Sequence, residues 1–244
     1  MDAYLQRIGA SRTSSLAELQ ERHLMSVPFE NLDTHMDTRI VLEIPWLYDK
    51  IVERRRGGFC YEVNGLFAEL LQDLGHRVDR LAARVYGAEG RLGAPLAHLV
   101  LLVDDEWLVD VGFGAFALHP LSWRSRDDQH DPAGVFRLAD NGDDVDVFHD
   151  GEPAYRVERR PRQLTEFAAT CWYQQTAPES HFRKGPMATK VVPGGRITVT
   201  DKQVVVTENG RKTSTDVEDP AAAFLENFGL YFRQSNASGV LRQL

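Results

Sequence analysis

Arg54-Arg55-Arg56-Gly57-Gly58-Phe59-Cys60-Tyr61-Glu62-Val63-Asn64-Gly65-Leu66-Phe67 is the stretch on which the reading of this chain turns. A single cysteine stands just behind a Gly-Gly pair. An apolar pattern starts directly after it, at Val63, Leu66, Phe67, Leu70, Leu71 and Leu74. Spacings of three and four mark one face of a buried helix. Gly75 stands where a glycine closes a helix. Cys60 therefore falls at or near the first turn of a central helix. Free backbone N–H groups and the positive end of the helix dipole collect there, and both favour a thiolate. Gly57 and Gly58 permit a tight backbone approach. Read alone, the stretch supports two roles for Cys60: a nucleophile, or a buried structural cysteine, since free cysteine is among the most buried residue types.

The chain around it has 244 residues, enough for one large domain or two to three small ones. Its hydrophobic content of 43% suffices to bury a core. A net charge of −8 argues against nucleic acid as a partner. Two cysteines, Cys60 and Cys171, make no disulfide framework and point to a reducing, cytoplasmic setting. The first residues lack a basic segment followed by an apolar run, so no signal peptide is expected. No apolar run is long enough to span a membrane. The sequon Asn236-Ala237-Ser238 then carries little meaning.

The first third reads as helical. Asp2 to Ile8 forms a short helix ended by Gly9. Ser15-Leu16-Ala17-Glu18 matches a capping box, with Leu16, Leu19 and Leu24 behind it. Pro28 disfavours further helix. Pro45 opens another helix at its tolerated first position, with Leu47 and Ile51 buried and Gly57 as its end. From Val78 the period changes to two. Strands are expected over 78–86, 98–103 and 107–111, the last two joined by a turn at Asp104-Asp105-Glu106. Asn141-Gly142 and Asn209-Gly210 are hairpin signals, flanked by strands over 134–139, 145–149, 203–207 and 211–215. A further strand covers 196–200, and 164–173 suits a helix. Arg124 to Asp131 reads as a solvated loop. Pro220 to Phe228 reads as a helix burying Ala222, Leu225 and Phe228. Helices first, then antiparallel strands, then a small mixed tail indicate an α+β protein.

A thiolate nucleophile needs a base, and the base needs an acceptor that orients it. His98 opens one strand of the 98–111 hairpin and Asp110 stands near the end of the other. Leu108 and Asp110 share a face in an otherwise apolar strand, and a buried carboxylate requires a partner such as an imidazole N–H. The bland alternative for His98 is a satisfied histidine at a strand end.

At this point a family resemblance enters. Arg55-Arg56-Gly57-Gly58-Phe59-Cys60-Tyr61-Glu62-Val63-Asn64-Gly65 resembles the active-site signature of the arylamine N-acetyltransferases. Val27-Pro28-Phe29-Glu30-Asn31-Leu32, His98-Leu99-Val100-Leu101, Asp110-Val111-Gly112-Phe113-Gly114 and Ser180-His181-Phe182 resemble its further motifs, in the same order. The resemblance implies an N-terminal helical bundle (1–77), an antiparallel β-barrel (78–175) and a small α/β lid (176–244), around a catalytic core like that of cysteine proteases and transglutaminases. It implies a Cys60-His98-Asp110 triad. It also implies acetyl-CoA as donor, an arylamine, arylhydrazine or arylhydroxylamine as acceptor, and ping-pong transfer. Phe29, Phe113 and Phe182 match phenylalanines that line the family's acceptor pocket, as aromatic walls suit a flat amine; ordinary core packing is their alternative. Arg55 and Glu62 match positions that look structural, an Arg–carboxylate pair bracketing the cysteine.

The chain ends soon after its last helix, where many bacterial relatives continue, which leaves CoA contacts there open. Arg183, Lys184 and Lys190 could meet CoA phosphates or form a solvated loop. Gly112-Phe113-Gly114-Ala115-Phe116-Ala117 fits a dinucleotide fingerprint, but Pro120 and a polar stretch replace the helix that must follow. The histidines and cysteines have no zinc-site spacing, so no metal is expected. Competing readings are an amide synthase on the same fold, a cysteine hydrolase and a non-catalytic binding module.

Overall fold

The structure is a computed structural model that describes residues 1–87 and 90–233; the Asn236-Ala237-Ser238 sequon and the end of the 176–244 segment lie outside the described residues.

Short helices open the chain, each with a visible start or stop signal. α1 (Asp2–Ile8) closes on Gly9 in the left-handed region. α2 (Leu16–Ser26) begins at Ser15, whose side chain accepts the Glu18 N–H. α3 (Ile44–Tyr48) carries Pro45 in its first turn and runs into a π-helical turn at Asp49–Glu53, burying Leu47 and Ile51. That helix ends before Gly57, earlier than its sequence suggests. Gly57 serves another purpose. A Cβ there would lie 1.8 Å from the Pro28 carbonyl oxygen. The Gly57-Gly58 backbone runs against Pro28-Phe29-Glu30, and the Glu30 N–H donates to the Gly58 carbonyl. α4 (Cys60–Asp73) follows with 11 of its 14 residues buried, which makes it the central helix.

Eight antiparallel strands wrap next to α4: β2 (Val78–Val85), β3 (His98–Val103), β4 (Trp107–Val109), β5 (Leu121–Ser122), β6 (Gln129–Asp131), β7 (Gly134–Asn141), β8 (Asp144–His149) and β9 (Glu152–Arg162). Their order is β5-β4-β3-β2-β9-β8-β7-β6. The two edges meet through one side chain: the Gln129 amide bonds both the N–H and the carbonyl of Ser122. This nearly closes a barrel. Its interior holds Leu81, Val100, Phe136, Leu138, Val147 and Tyr155. The other face of β3, with Leu99 and Leu101, packs with Leu66, Phe67 and Leu70 of α4. Both faces of β3 are thus covered, which is why it reads as an unbroken apolar run.

A second sheet has the order β1-β10-β11-β12-β13, from β1 (Phe29–Glu30), β10 (Met187–Val192), β11 (Gly195–Thr200), β12 (Gln203–Glu208) and β13 (Arg211–Asp216). β1 pairs with β10, so the segment just before the helical core joins the C-terminal sheet. α5 (Ala168–Thr176) and α6 (Pro220–Phe228) complete the α+β fold.

Several elements depart from the sequence reading. β9 carries two prolines and many charges, and hides only Tyr155 and Val157 fully; pairing on both sides with β2 and β8 makes it a strand. The 124–131 stretch ends in β6, with the Asp131 carboxylate accepting the Leu118 and His119 N–H groups. The β7–β8 turn is Gly142-Asp143, one residue later than Asn141-Gly142, whereas Asn209-Gly210 has both residues at positive φ, as a type I′ hairpin requires. In α6 the buried residues are Ala223 and Phe224, while Leu225 is 42% exposed. The chain returning after Gly229 brings Leu230 and Phe232 onto Phe224, and this sets which stripe is covered.

Candidate active site

Beneath the Gly57-Gly58 turn lies a buried charge network. Lys50 Nζ lies 2.6 Å from Glu62 Oε1 and 2.7 Å from Asp33 Oδ2. Arg56 reaches Glu30 at 2.7 Å and Asp33 at 2.9 Å. The second Glu62 oxygen accepts the Phe59 N–H, capping α4 one residue before Cys60. Burial pushes the Glu62 carboxyl up, against the pull of Lys50. Burial also opposes charge on Lys50, but the carboxylates around it raise its pKa. The expected Arg55–Glu62 pair is absent. Arg55 sits at φ 53 with its side chain exposed, so Glu62 is held by Lys50, and Arg56 is the arginine that turns inward. A lysine flush within the apolar face of Leu47 and Ile51 is the signal that could have revealed Lys50.

Cys60 occupies the first position of α4 and is buried. Gly112 packs onto it: a Cβ on Gly112 would lie 2.7 Å from Cys60 Cα. His98 Nε2 stands 2.7 Å from Asp110 Oδ2. Burial works against charge on the His98 ring, yet Asp110 and the adjoining Cys60 side chain outweigh it and raise its pKa to about 10. The ring is therefore an imidazolium at neutral pH, with Asp110 on one nitrogen and Cys60 beside it. Asp110 lies just past the end of β4. Its other oxygen accepts from Asn64 Nδ2 at 2.9 Å and from the Gly112 N–H at 2.8 Å. Asn64 also donates to the Leu99 carbonyl and accepts the Val111 N–H. It ties α4, β3 and the 110–112 segment together four residues after Cys60. The arrangement sets a cysteine beside a carboxylate-bound imidazole at a helix N-terminus, the equipment of acyl transfer through a cysteine.

A family-wide sequence profile described as N-acetyltransferase matches residues 13–236. The chain is 32% identical to the arylamine N-acetyltransferase of Escherichia coli K12 over 234 residues, covering 91% of this chain and 83% of that protein. It is likewise 32% identical to the enzyme of Mycolicibacterium smegmatis, covering 94% and 91%. This chain belongs to the arylamine N-acetyltransferase family. The solved structure of the Mycobacterium marinum family member in complex with CoA superposes with a TM-score of 0.85 at 31% identity, covering 93% of this chain and 92% of that one.

Within this arylamine N-acetyltransferase fold, Phe29 and Phe182 lie with ring centroids 6.2 Å apart, and Phe182 meets Phe59 edge-on at 5.1 Å. Phe113 packs on His98 at 5.2 Å and on Tyr155 at 5.1 Å. Phe29 and Phe182 thus gather near Phe59, the residue before Cys60, while Phe113 packs on His98. Arg183 donates to the Thr34 carbonyl, and Lys190 lies over the Phe228 ring. The Gly112–Ala117 segment leads to β5 and packs against Cys60, with no helix behind it. Sequence reading missed Asn64 as a site residue, although it stands inside the motif. It also missed Tyr155, whose buried hydroxyl is within electrostatic reach of Asp110 without a well-aligned hydrogen bond. Cys171 is buried beside Gln175. Burial first, then the Glu62 charge and Cys60, push its thiol up.

Proposed function

We propose that this protein transfers an acetyl group from acetyl-CoA to an arylamine, arylhydrazine or arylhydroxylamine through an acetyl-Cys60 intermediate, with Cys60, His98 and Asp110 as its catalytic triad. The observation that carries the reading is the buried His98–Asp110 contact beside a cysteine at the first turn of α4. The Cys60 thiolate attacks the thioester carbonyl carbon. An S–C bond forms, the bond to CoA sulfur breaks, and the departing thiolate takes the proton of the His98 imidazolium. The amine nitrogen then attacks the acetyl carbon. Neutral His98 accepts the nitrogen's proton, and Cys60 leaves again as a thiolate. Asp110 holds the ring in the tautomer both steps need. Phe29, Phe113 and Phe182 form the walls of the acceptor site. The 1–77 segment supplies the nucleophile, 78–175 the base and its partner, and 176–244 the lid, in a cytoplasmic enzyme.

Acetyl-CoA alone should release CoA in a burst no larger than the enzyme concentration, with one acetyl group on Cys60 by intact mass. Adding an arylamine should restart release and consume the adduct. Steady CoA release without amine, unchanged by adding one, sinks the transferase in favour of a hydrolase. No adduct from acetyl-CoA, but one from a carrier-bound thioester, would favour an amide synthase.

A further inference from the structure

Arg196 is a half-buried cation. It lies on β11, where its Nη1 donates to Thr189 Oγ1 at 3.2 Å. Among the described residues no carboxylate pairs with it, and burial alone pulls its guanidinium down to about 10. Desolvating an arginine without a partner is unfavourable, and an unmatched buried polar group calls for an explanation. A cavity of about 720 Å³ opens in front of it, between the second sheet and the barrel. Ala115, Phe116 and Leu118 wall it on the barrel side, Val191 and Thr207 on the sheet side, and among the described residues no acidic one lines it. The volume is that of a small-molecule pocket.

The cavity adjoins the Cys60 site through one short segment. Gly112 packs on Cys60. Gly114 faces the Phe29 ring and Thr189, at 3.7 and 3.8 Å from where its Cβ would stand. Ala115 and Phe116 already line the cavity. Three residues of extended chain, from 112 to 115, span at most about 10 Å. Contacts from Arg196 to Thr189, from Thr189 to Gly114 beside Phe29, and from Gly112 to Cys60 link the Arg196 fork to the nucleophile.

We propose that Arg196 is a specificity residue that binds a carboxylate on the acceptor, so that the preferred arylamines carry one anionic group on the side of the ring away from the amine. This rests on the acceptor reading above. A guanidinium presents parallel N–H donors that match a carboxylate. One arginine, with His149 as the other basic residue of the lining, suits a monoanion on an aromatic body in a mostly apolar cleft, whereas the several phosphates of CoA would need more positive charge.

The test compares 4-aminobenzoate with its methyl ester, which keeps the ring and amine and removes the charge. In the wild type 4-aminobenzoate should be the better acceptor. Arg196→Gln should lower the kcat/KM preference for the acid over the ester about 10- to 100-fold, mainly through KM. Arg196→Lys should restore part of it. Benzoate should raise the Tm of the wild type and not that of Arg196→Gln, a readout independent of turnover. Equal losses for acid and ester would make Arg196 structural and overturn the proposal. A rise in the KM of acetyl-CoA without a change in acceptor preference would assign the cation to the donor and overturn it too. If the wild type acetylates neither compound, the acceptor reading fails on its own. Benzoate then decides the site: stabilisation that needs Arg196 keeps it, and none overturns it.

Discussion

His98 Nε2 and Asp110 Oδ2 are 2.7 Å apart with both side chains almost wholly buried, yet the strand register does not pair these residues. Leu101 stands opposite Val109. Continued, that register would place His98 opposite Gly112. The chain leaves the ladder after Val109, and the Asn64 and Gly112 donors turn the Asp110 carboxylate towards the ring.

The pair makes stability depend on pH in a defined direction. The folded pKa of His98, about 10, is above its ordinary 6.5. The unfolded chain releases this proton first as pH rises, so the contribution is complete below about pH 6.5 and fades up to about pH 10. His98→Gln should therefore cost on the order of 3–5 kcal/mol at pH 6, and this difference from wild type should shrink steadily towards pH 10. Urea titrations across that range measure it; a constant difference would contradict the assignment.

Asn64→Asp tests how Asp110 is held. The change is nearly isosteric, but it replaces a donor facing Asp110 and the Leu99 carbonyl by an acceptor. A carboxylate beside Asp110 binds a proton more tightly when folded than when unfolded, so the variant is penalised above the ordinary aspartate pKa of ~3.9. Its Tm deficit should be larger at pH 8 than at pH 5. Its kcat should fall roughly 100-fold or more, as Asp110 loses its orientation. An equal Tm deficit at both pH values would mean that Asn64 acts by shape alone.

The two cysteines should behave oppositely. Cys60→Ala should abolish both CoA release and acetylated product. Cys171→Ala removes a buried thiol whose pKa burial raises well above neutral pH, so it should cost about 1 kcal/mol of stability and leave kcat within about twofold. Activity lost in a folded Cys171→Ala protein would count against Cys60 as the sole nucleophile.

Lys50→Met should be among the most damaging changes away from the nucleophile. It leaves Glu62 and Asp33 buried beside each other without their shared cation, which costs about 3–5 kcal/mol. Arg54→Met breaks the Arg54–Asp49 contact, in which both side chains are about half exposed, and should stay within about 1 kcal/mol. Urea unfolding of both variants provides the comparison; similar losses would mean that the buried network does not hold the Cys60 loop.

Local chemistry in the chain determined the central helix, its cysteine, the start of the histidine strand and most helix ends. Those depend on apolar spacing, caps and turn residues within a few positions. Cys60, His98 and Asp110 each belong to a short motif, which made them candidates in the sequence, and the fold brings them together. What only tertiary structure decided were the features whose partners are distant in the chain. Glu62 takes Lys50 over Arg55 because α3 carries the lysine under the turn while Arg55 points outward. β9 is a strand because β2 and β8 accept its backbone, despite two prolines and a row of arginines. Gly57 marks the contact of two backbones because Pro28 lies against it, and so does not end a helix. Arg196 faces a cavity because two hairpin tips meet three barrel loops there. Spacing within a sequence reports which face of an element is buried, whereas the identity of a distant partner is set by how the elements pack.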